Sequence, residues 1–350
     1  MNCCVNCFTS SYLTNIIKSN KEFGNCEFCG SVDVNIFSTK RLLYFFRNII
    51  NLYEVDKESK VSLWDSINED FTVLEDNCTT NSEKLFKSIV IDESEEFSDL
   101  MSNNVSFRSK KVLDVKSSEI HTIWDRFKEE IKFKNRFHIN EENLINLEEL
   151  RIIFKGETFK KTIEKGESFY RCRISSKVGY KCGEMWNPPS KFASSGRANP
   201  KGISYLYLGS NIETTLYETR ASLYDYVTVG EFRLKEDVNI LDLRTPEYDI
   251  IPWSENDSLE SFIIYGVFIK TLQKEISLPI RKQDKELDYI PTQYISEYIK
   301  SLGFDGVEYQ SSLDSSGYNL AIFNPQKFEC IKTNVYDIHK ISLDYKEVKN

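Results

Sequence analysis

Gly196-Arg197-Ala198-Asn199-Pro200 through Ser222, GRANPKGISYLYLGSNIETTLYETRAS, is the stretch whose reading decides the fold. A turn rich in Gly and Pro carries Arg197. The run Ile203 to Leu208 alternates, so it predicts a short strand with Tyr205 and Tyr207 on one face and Leu206 and Leu208 on the other. Ser210 and Glu213 stand as S-x-x-E, the spacing of a reciprocal helix cap. Ile212, Leu216, Thr219 and Leu223 then form a stripe at helical spacing. Glu218 falls off that stripe, which fits a solvated face as well as a functional carboxylate.

Outward from this stretch, Gly and Pro recur after residue 155 and strand-like runs appear. Phe169 to Ile174 reads FYRCRI and puts Arg171 and Arg173 on one face of a strand. Such a pair clamps a phosphate or simply lines an exposed face; both readings stand. Further strands are expected at 227–234, 238–241, 306–309, 320–323 and 328–332, with helices at 258–274 and 291–301.

From Phe37 to about Leu150 the pattern differs. Helical spacing recurs at 41–53, 61–74, 82–89 and 120–133, and a last helix starts at Asn140-Glu141-Glu142. Gly and Pro are nearly absent there, and Asn/Asp/Ser clusters separate the elements. Trp64 and Trp124 are expected in the core. The run Asp92 to Glu96 reads as a solvated loop. His121 and His138 have no metal-ligand spacing with any carboxylate or cysteine.

Five of the nine cysteines lie in the first thirty residues. Cys4-x2-Cys7 and Cys26-x2-Cys29, 18 residues apart, have the paired-knuckle spacing that gives zinc four thiolates. Cys3 competes with Cys4 in register, but Cys4 gives the clean knuckle. No thioredoxin-like strand–helix context surrounds either pair, which argues against a redox motif. Such a site holds together a segment too short to build its own core. The expected organisation is therefore α+β: a zinc knuckle at 1–32, a helical domain at 33–155 and a mixed domain at 156–350.

Composition bounds the function. The chain has 350 residues, 40% of them hydrophobic and 13% aromatic, with a net charge of −9. That charge argues against a general nucleic-acid binder. No apolar run is long enough to cross a membrane, and the first residues lack the apolar core of a signal peptide. A cytoplasmic protein is expected.

Taken together, the motifs resemble the RES domain family, named for its Arg, Glu and Ser. They are Tyr170-Arg171-Cys172-Arg173, Gly196-Arg197-x-Asn199-Pro200, Tyr205-Leu206-Tyr207-Leu208, Glu218, Gly303-Phe304-Asp305-Gly306-Val307, Tyr309-x-Ser311 and Asn319-Leu320-Ala321-Ile322-Phe323. They stand in the family's order across roughly residues 155 to 335, and the ordered set is specific where no single piece is. The N-terminal part is similar to the zinc-knuckle helical domain called HEPN/RES N-terminal. Its nuclease signature R-x4-H is missing, because neither His121 nor His138 has an arginine five residues upstream. Ala198 stands where the family usually carries a bulky aromatic.

The resemblance implies a fold akin to ADP-ribosyltransferases and cleavage of NAD at the nicotinamide–ribose bond, by water or phosphate, in growth-arresting toxins or anti-phage effectors. It implies Arg197, Tyr207, Glu218 and Ser311 as catalytic residues. Arg171, Arg173, Tyr205, Ser312 and Asn319 would contact substrate. The chemistry agrees, since a carboxylate stabilises an oxocarbenium-like sugar, an aromatic stacks on nicotinamide and arginine pairs with pyrophosphate. Transfer of ADP-ribose to a protein, or an inactive sensor of NAD or ADP-ribose, stays open. So do a helix-turn-helix antitoxin or another inhibitory or activating partner, and a homo-oligomer.

Overall fold

The computed structural model describes residues 1–75, 78, 81–93, 95–108, 110–156, 158–244, 249–254, 259–278 and 286–341. The chain forms two compact units that are not contiguous in sequence. The first comprises Met1–Thr122, Glu148–Thr158 and Pro246–Phe268; the second comprises Ile123–Leu147, Phe159–Thr245 and Ile269–Asn350. The units therefore cut across the expected 33–155 and 156–350 segments. Residues 246–268 belong with the N-terminal part, and 123–147 with the C-terminal part.

In the first unit, β1 (Asn2–Cys4) and β2 (Phe23–Gly24) flank β3 (Val34–Ser38) as a small antiparallel sheet, and α1 (Ser11–Ser19) lies between β1 and β2 in sequence. The Ser10 hydroxyl caps α1 by accepting from Leu13 N–H. Helix α2 (Leu43–Ile50) is shorter than the periodicity predicts. Its last expected residue, Tyr53, opens β4 (Tyr53–Val55). Helices α3 (Leu63–Phe71), α4 (Ser82–Ile89) and α5 (Ser98–Ser102) follow, and β5 (Val105–Phe107) pairs with β4. Trp64 is buried, as expected, against Phe46 and Phe86. Helix α6 (Lys110–Phe133) begins well before its predicted start at Ile120. Asn140 caps only a short 3-10 turn (Glu141–Asn143), so the last helix of this region, α7 (Leu147–Lys155), starts later than predicted. Of these short strands only β4 overlaps a stretch read as helical, at Tyr53.

The second unit is built on one eight-stranded sheet. Its strands are β6 (Lys160–Ile163), β7 (Ser168–Ser175), β8 (Leu206–Gly209), β9 (Tyr226–Leu234), β10 (Val238–Leu243), β11 (Gly306–Gln310), β12 (Tyr318–Ile322) and β13 (Phe328–Asp337). Between β8 and β9 lies α8 (Ile212–Thr219); α9 (Leu259–Ser277) and α10 (Ile290–Ser301) fall between β10 and β11. The expected first residue of α9, Ser258, lies outside the described residues. The order is β13-β9-β7-β8-β12-β11-β10-β6, with β10 and β11 parallel and the other pairs antiparallel.

Strand alternation sorts the two faces. Leu206, Leu208, Leu320 and Ile322 join Phe169, Phe232 and Ile240 in one buried cluster, while Tyr207 and Asn319 turn the other way. The sheet has one weak seam. β7 pairs with β9 along its length, but meets β8 only at Tyr170 opposite Gly209. A row of paired positions, Tyr309–Asn319–Gly209–Tyr170, runs across β11, β12, β8 and β7 at this seam.

Candidate functional site

A cavity of about 370 Å³ opens at the seam, within the second unit. Its walls include Tyr170, Arg171, Arg197, Tyr207, Glu218 and Asn319, with Tyr289 and Tyr309 as further aromatic surface.

Helix α8 delivers Glu218. The cap lies one residue later than the S-x-x-E reading puts it: Asn211 Oδ1 accepts from Thr214 N–H at 2.8 Å. Ser210 is engaged elsewhere, its hydroxyl accepting from Tyr318 N–H. The buried side of the helix is Thr214 and Thr215, not the Ile212–Leu216–Thr219–Leu223 stripe; Leu223 lies beyond the helix and is exposed. Glu218 follows those threonines by three and four positions, so it points inward with them. Small residues let the helix approach the sheet. A Cβ on Gly209 would stand 2.6 Å from Thr215 Cγ2, closer than such atoms can approach.

Glu218 is held at both oxygens. Oε1 accepts from the Ser311 hydroxyl at 2.9 Å and from Asn319 Nδ2 at 2.8 Å. Oε2 faces the Arg197 guanidinium at 3.8 Å. The Ser311 oxygen accepts Leu313 and Asp314 N–H (both 3.3 Å), which leaves its single proton for Glu218. The carboxylate is thus fixed in direction while 26% of its side-chain surface stays open.

The arginine turn is braced from two sides. The Tyr207 hydroxyl donates to Asn199 Oδ1 (2.7 Å) and accepts from Ala198 N–H (3.1 Å). Asn199 Nδ2 donates in turn to the carbonyls of Ser194, Pro200 and Ile203. Only glycine fits at 196, since a Cβ there would meet Asn199 Oδ1 at 2.5 Å and the Tyr207 hydroxyl at 2.8 Å. Ala198 is fully buried, so this packing has no space for a bulky aromatic at that position. From the other side, Thr292 Oγ1 donates to Arg197 O (2.7 Å) and Gln293 Nε2 to Gly196 O (2.8 Å). Arg197 itself donates to Ser277 O (2.7 Å).

Several groups in the cavity wall are shifted by burial, Arg171 and Tyr207 among them. Burial lowers the Arg171 guanidinium to about 10, with neighbouring Arg173 adding to the effect. Desolvation pushes the Tyr207 phenol up to about 12. Arg171 donates to Tyr207 O at 3.1 Å, and its buried Nε has no partner. A cation in a poorly hydrated wall favours an anionic ligand group.

Of the residues the sequence singled out, the structure gathers Arg171, Arg197, Tyr207, Glu218, Ser311 and Asn319 around this cavity. It does not bring the other three. Tyr205 precedes β8 and is buried against Phe323 (ring centroids 4.7 Å apart), away from the cavity lining. Arg173 donates to Glu184 O and lies over the Tyr180 ring. Ser312 is exposed beside the engaged Ser311. Sequence reasoning missed Tyr289, Thr292 and Gln293. Their signal was the set of polar residues Thr292, Gln293 and Ser296 on the buried side of a helix that reads as ordinary.

In the first unit the Cys4, Cys7, Cys26 and Cys29 sulfurs all lie within 4.8 Å of one another. Three Sγ pairs measure 3.4, 3.4 and 3.9 Å. Four thiolates about 2.3 Å from a tetrahedral zinc would stand about 3.8 Å apart, so this donor set fits that ion. Phe28 and Cys29 N–H both point at Cys26 Sγ (3.4 Å), as donors that stabilise a thiolate. Cys3 stands apart and is directed at Phe37 O.

The RES domain family model matches residues 168–345, more than half of the 350 residues, and the chain belongs to this family. Among solved structures it is similar to a chain of the crystal structure of the M. tuberculosis MbcT–MbcA toxin–antitoxin complex. The identity is 17% and the TM-score 0.32, over 56% of this chain and 93% of that one. A search of curated proteins finds no match. No helix among the described residues is long and apolar enough to cross a membrane.

Proposed function

We propose that the second unit cleaves NAD at the nicotinamide–ribose bond. The observation that carries the reading is Glu218, a carboxylate with one oxygen fixed by Ser311 and Asn319 and the other facing Arg197, at the wall of a tyrosine-lined cavity. In the reaction the bond between the ribose C1′ and the nicotinamide nitrogen breaks. Its electron pair stays on nitrogen, which turns the pyridinium neutral, and positive charge passes to the sugar. Glu218 stabilises that charge. An acceptor oxygen of water or phosphate then adds to C1′, and water loses its proton on doing so. Arg197 and Arg171 serve the pyrophosphate, and Tyr207 and Tyr309 flank the nicotinamide ring. At about 370 Å³ the cavity is at the small end of ligand sites, so it encloses part of a dinucleotide.

The same reading makes residues 156–350 the catalytic domain, 33–155 a HEPN/RES-type N-terminal domain and 1–32 a knuckle with one structural zinc on Cys4, Cys7, Cys26 and Cys29. When bound, that ion supplies a crosslink between the two Cys-x2-Cys segments. Membership of the RES family supports a cytoplasmic growth-arrest toxin or anti-phage effector that a partner protein, such as an antitoxin, holds in check. The test is nicotinamide release from NAD by the purified chain, with Glu218→Gln as control. Induction in cells should deplete NAD and stop growth for the wild type alone. A wild-type protein that releases no nicotinamide with water or phosphate as acceptor defeats the proposal.

A further inference from the structure

The second unit holds another, larger cavity, of about 990 Å³. It lies against the segment that follows α6, the turn 195–203 and α10. Its wall is mainly apolar: Ile139, Leu144, Ile203, Ile290 and Tyr294 contribute. Among the described residues, Arg136 and Lys201 line it as cations and Glu297 as a carboxylate, with the His138 ring beside them. The charged groups described there sum to one positive charge, in a chain of net charge −9. Arg136 donates its Nε–H to Ile131 O (3.2 Å), which fixes the guanidinium at this wall. Phe137, at 89% exposed, offers a further aromatic face. An apolar wall with one anchored and one exposed cation suits an amphipathic anion, meaning an apolar or aromatic body that ends in a carboxylate, sulfonate or phosphate.

This cavity and the catalytic one are lined by different residues of the same turn, Ser195 and Pro200 here and Gly196 and Arg197 there. Gln293 lines the larger cavity, is nearly fully buried and donates both to Ser195 Oγ and to Gly196 O (2.8 Å each). The next residue back, Thr292, holds Arg197 O. Ser195, Pro200, Lys201 and Ile203 belong to the turn that presents Arg197, and all four line the larger cavity. A ligand seated there packs against the back of the arginine turn and against the side chain that braces it.

We propose that the larger cavity is an effector site for an amphipathic anion, whose binding stiffens the Arg197 turn and raises the turnover of NAD. The regulatory half rests on the NAD reading above; the binding half does not. Binding energy spent on ordering the turn appears as coupling between the two sites, and such couplings usually span about fivefold to 150-fold.

Anilinonaphthalene sulfonate, an aromatic anion of this class, serves as the probe on the full chain. Binding is read by calorimetric titration, and nicotinamide release is followed with and without probe. Lys201→Glu reverses an exposed charge at the wall, and Ile139→Trp fills the space; neither residue belongs to the catalytic cavity. We expect one probe per chain, at least about tenfold weaker binding in each variant at an unchanged melting temperature, and at least about fivefold higher kcat/KM with probe in the wild type only. Glu218→Gln should still bind the probe. Equal binding by the wild type and a folded Lys201→Glu protein overturns the site. Binding that shifts kcat/KM by less than about twofold overturns the regulation. Should the wild type release no nicotinamide at all, the NAD reading falls, while the titrations still decide the site.

Discussion

Replacing Glu218 by Gln tests the chemistry with the least disturbance of shape. The glutamine oxygen can take the place of Oε1 and still accept from Ser311 and Asn319, at 2.9 and 2.8 Å in the native site. Its amide nitrogen then faces Arg197, where Oε2 stood at 3.8 Å, so the substitution removes a charge and leaves the fold's hydrogen bonds largely in place. A unit anion about 4 Å from a unit cation contributes about 4 kcal/mol at an effective dielectric of about 20. That converts to about a thousandfold in rate. The sugar carries only part of a charge at the transition state, and Glu218 is partly open to water, so about a hundredfold to a thousandfold is expected in kcat. KM should move little, because the ground-state ribose is neutral. Ser311→Ala removes one of the two donors to Oε1 and should cost about tenfold to a hundredfold, in line with one hydrogen bond to a charged group. Arg197→Ala should mainly raise KM. The assay is nicotinamide release against NAD concentration, with circular dichroism as the folding control. A folded Glu218→Gln protein with wild-type kcat would refute the reasoning.

Metal analysis of the purified chain should give one zinc per molecule, and Cys26→Ser should lose it, since that sulfur is both a ligand position and the acceptor for two N–H groups. A fragment of residues 156–350 should be less soluble and melt lower than the full chain. Asp249 would lose its donors Ser10 Oγ (2.7 Å) and Tyr12 N–H (3.3 Å), and Ser254 O would lose Asn48, all within the first unit. A fragment as stable as the whole would count against the two-unit division. Glu308, fully buried between Lys161 (2.9 Å) and Arg244 (2.5 Å), is held above the ordinary carboxylate range chiefly by burial and next by Asp242. The folded chain therefore binds this proton more readily than the unfolded chain. Its contribution to stability falls as pH rises from the ordinary carboxylate range through the raised value. Glu308→Gln should flatten that dependence in urea midpoints, and an unchanged pH profile would exclude Glu308 as its source.

The sequence by itself determined the local chemistry. Two C-x2-C pairs specify a soft four-sulfur donor set whatever surrounds them, and alternation alone puts Leu206 and Leu208 opposite Tyr207. The order of the RES motifs gave the mixed fold and family of the C-terminal half. Spacing could not say which member of each candidate pair reaches the cavity. Arg171 and Arg173 share a strand face, yet only Arg171 lies beside the seam, because β7 meets β8 at Tyr170 alone. Tyr205 and Tyr207 separate because β8 starts at Leu206, which frees Tyr205 to pack on Phe323. Ser311 differs from Ser312 only through the turn that aims it at Glu218. The inward turn of Glu218 was hidden as well, since the buried side of α8 is Thr214 and Thr215, which the stripe at helical spacing leaves out. Each of these outcomes depends on contacts between residues far apart in sequence. So does the joining of 246–268 to the N-terminal unit and of 123–147 to the C-terminal one. Side-chain periodicity reports which residues share a face, and only tertiary pairing decides what that face meets.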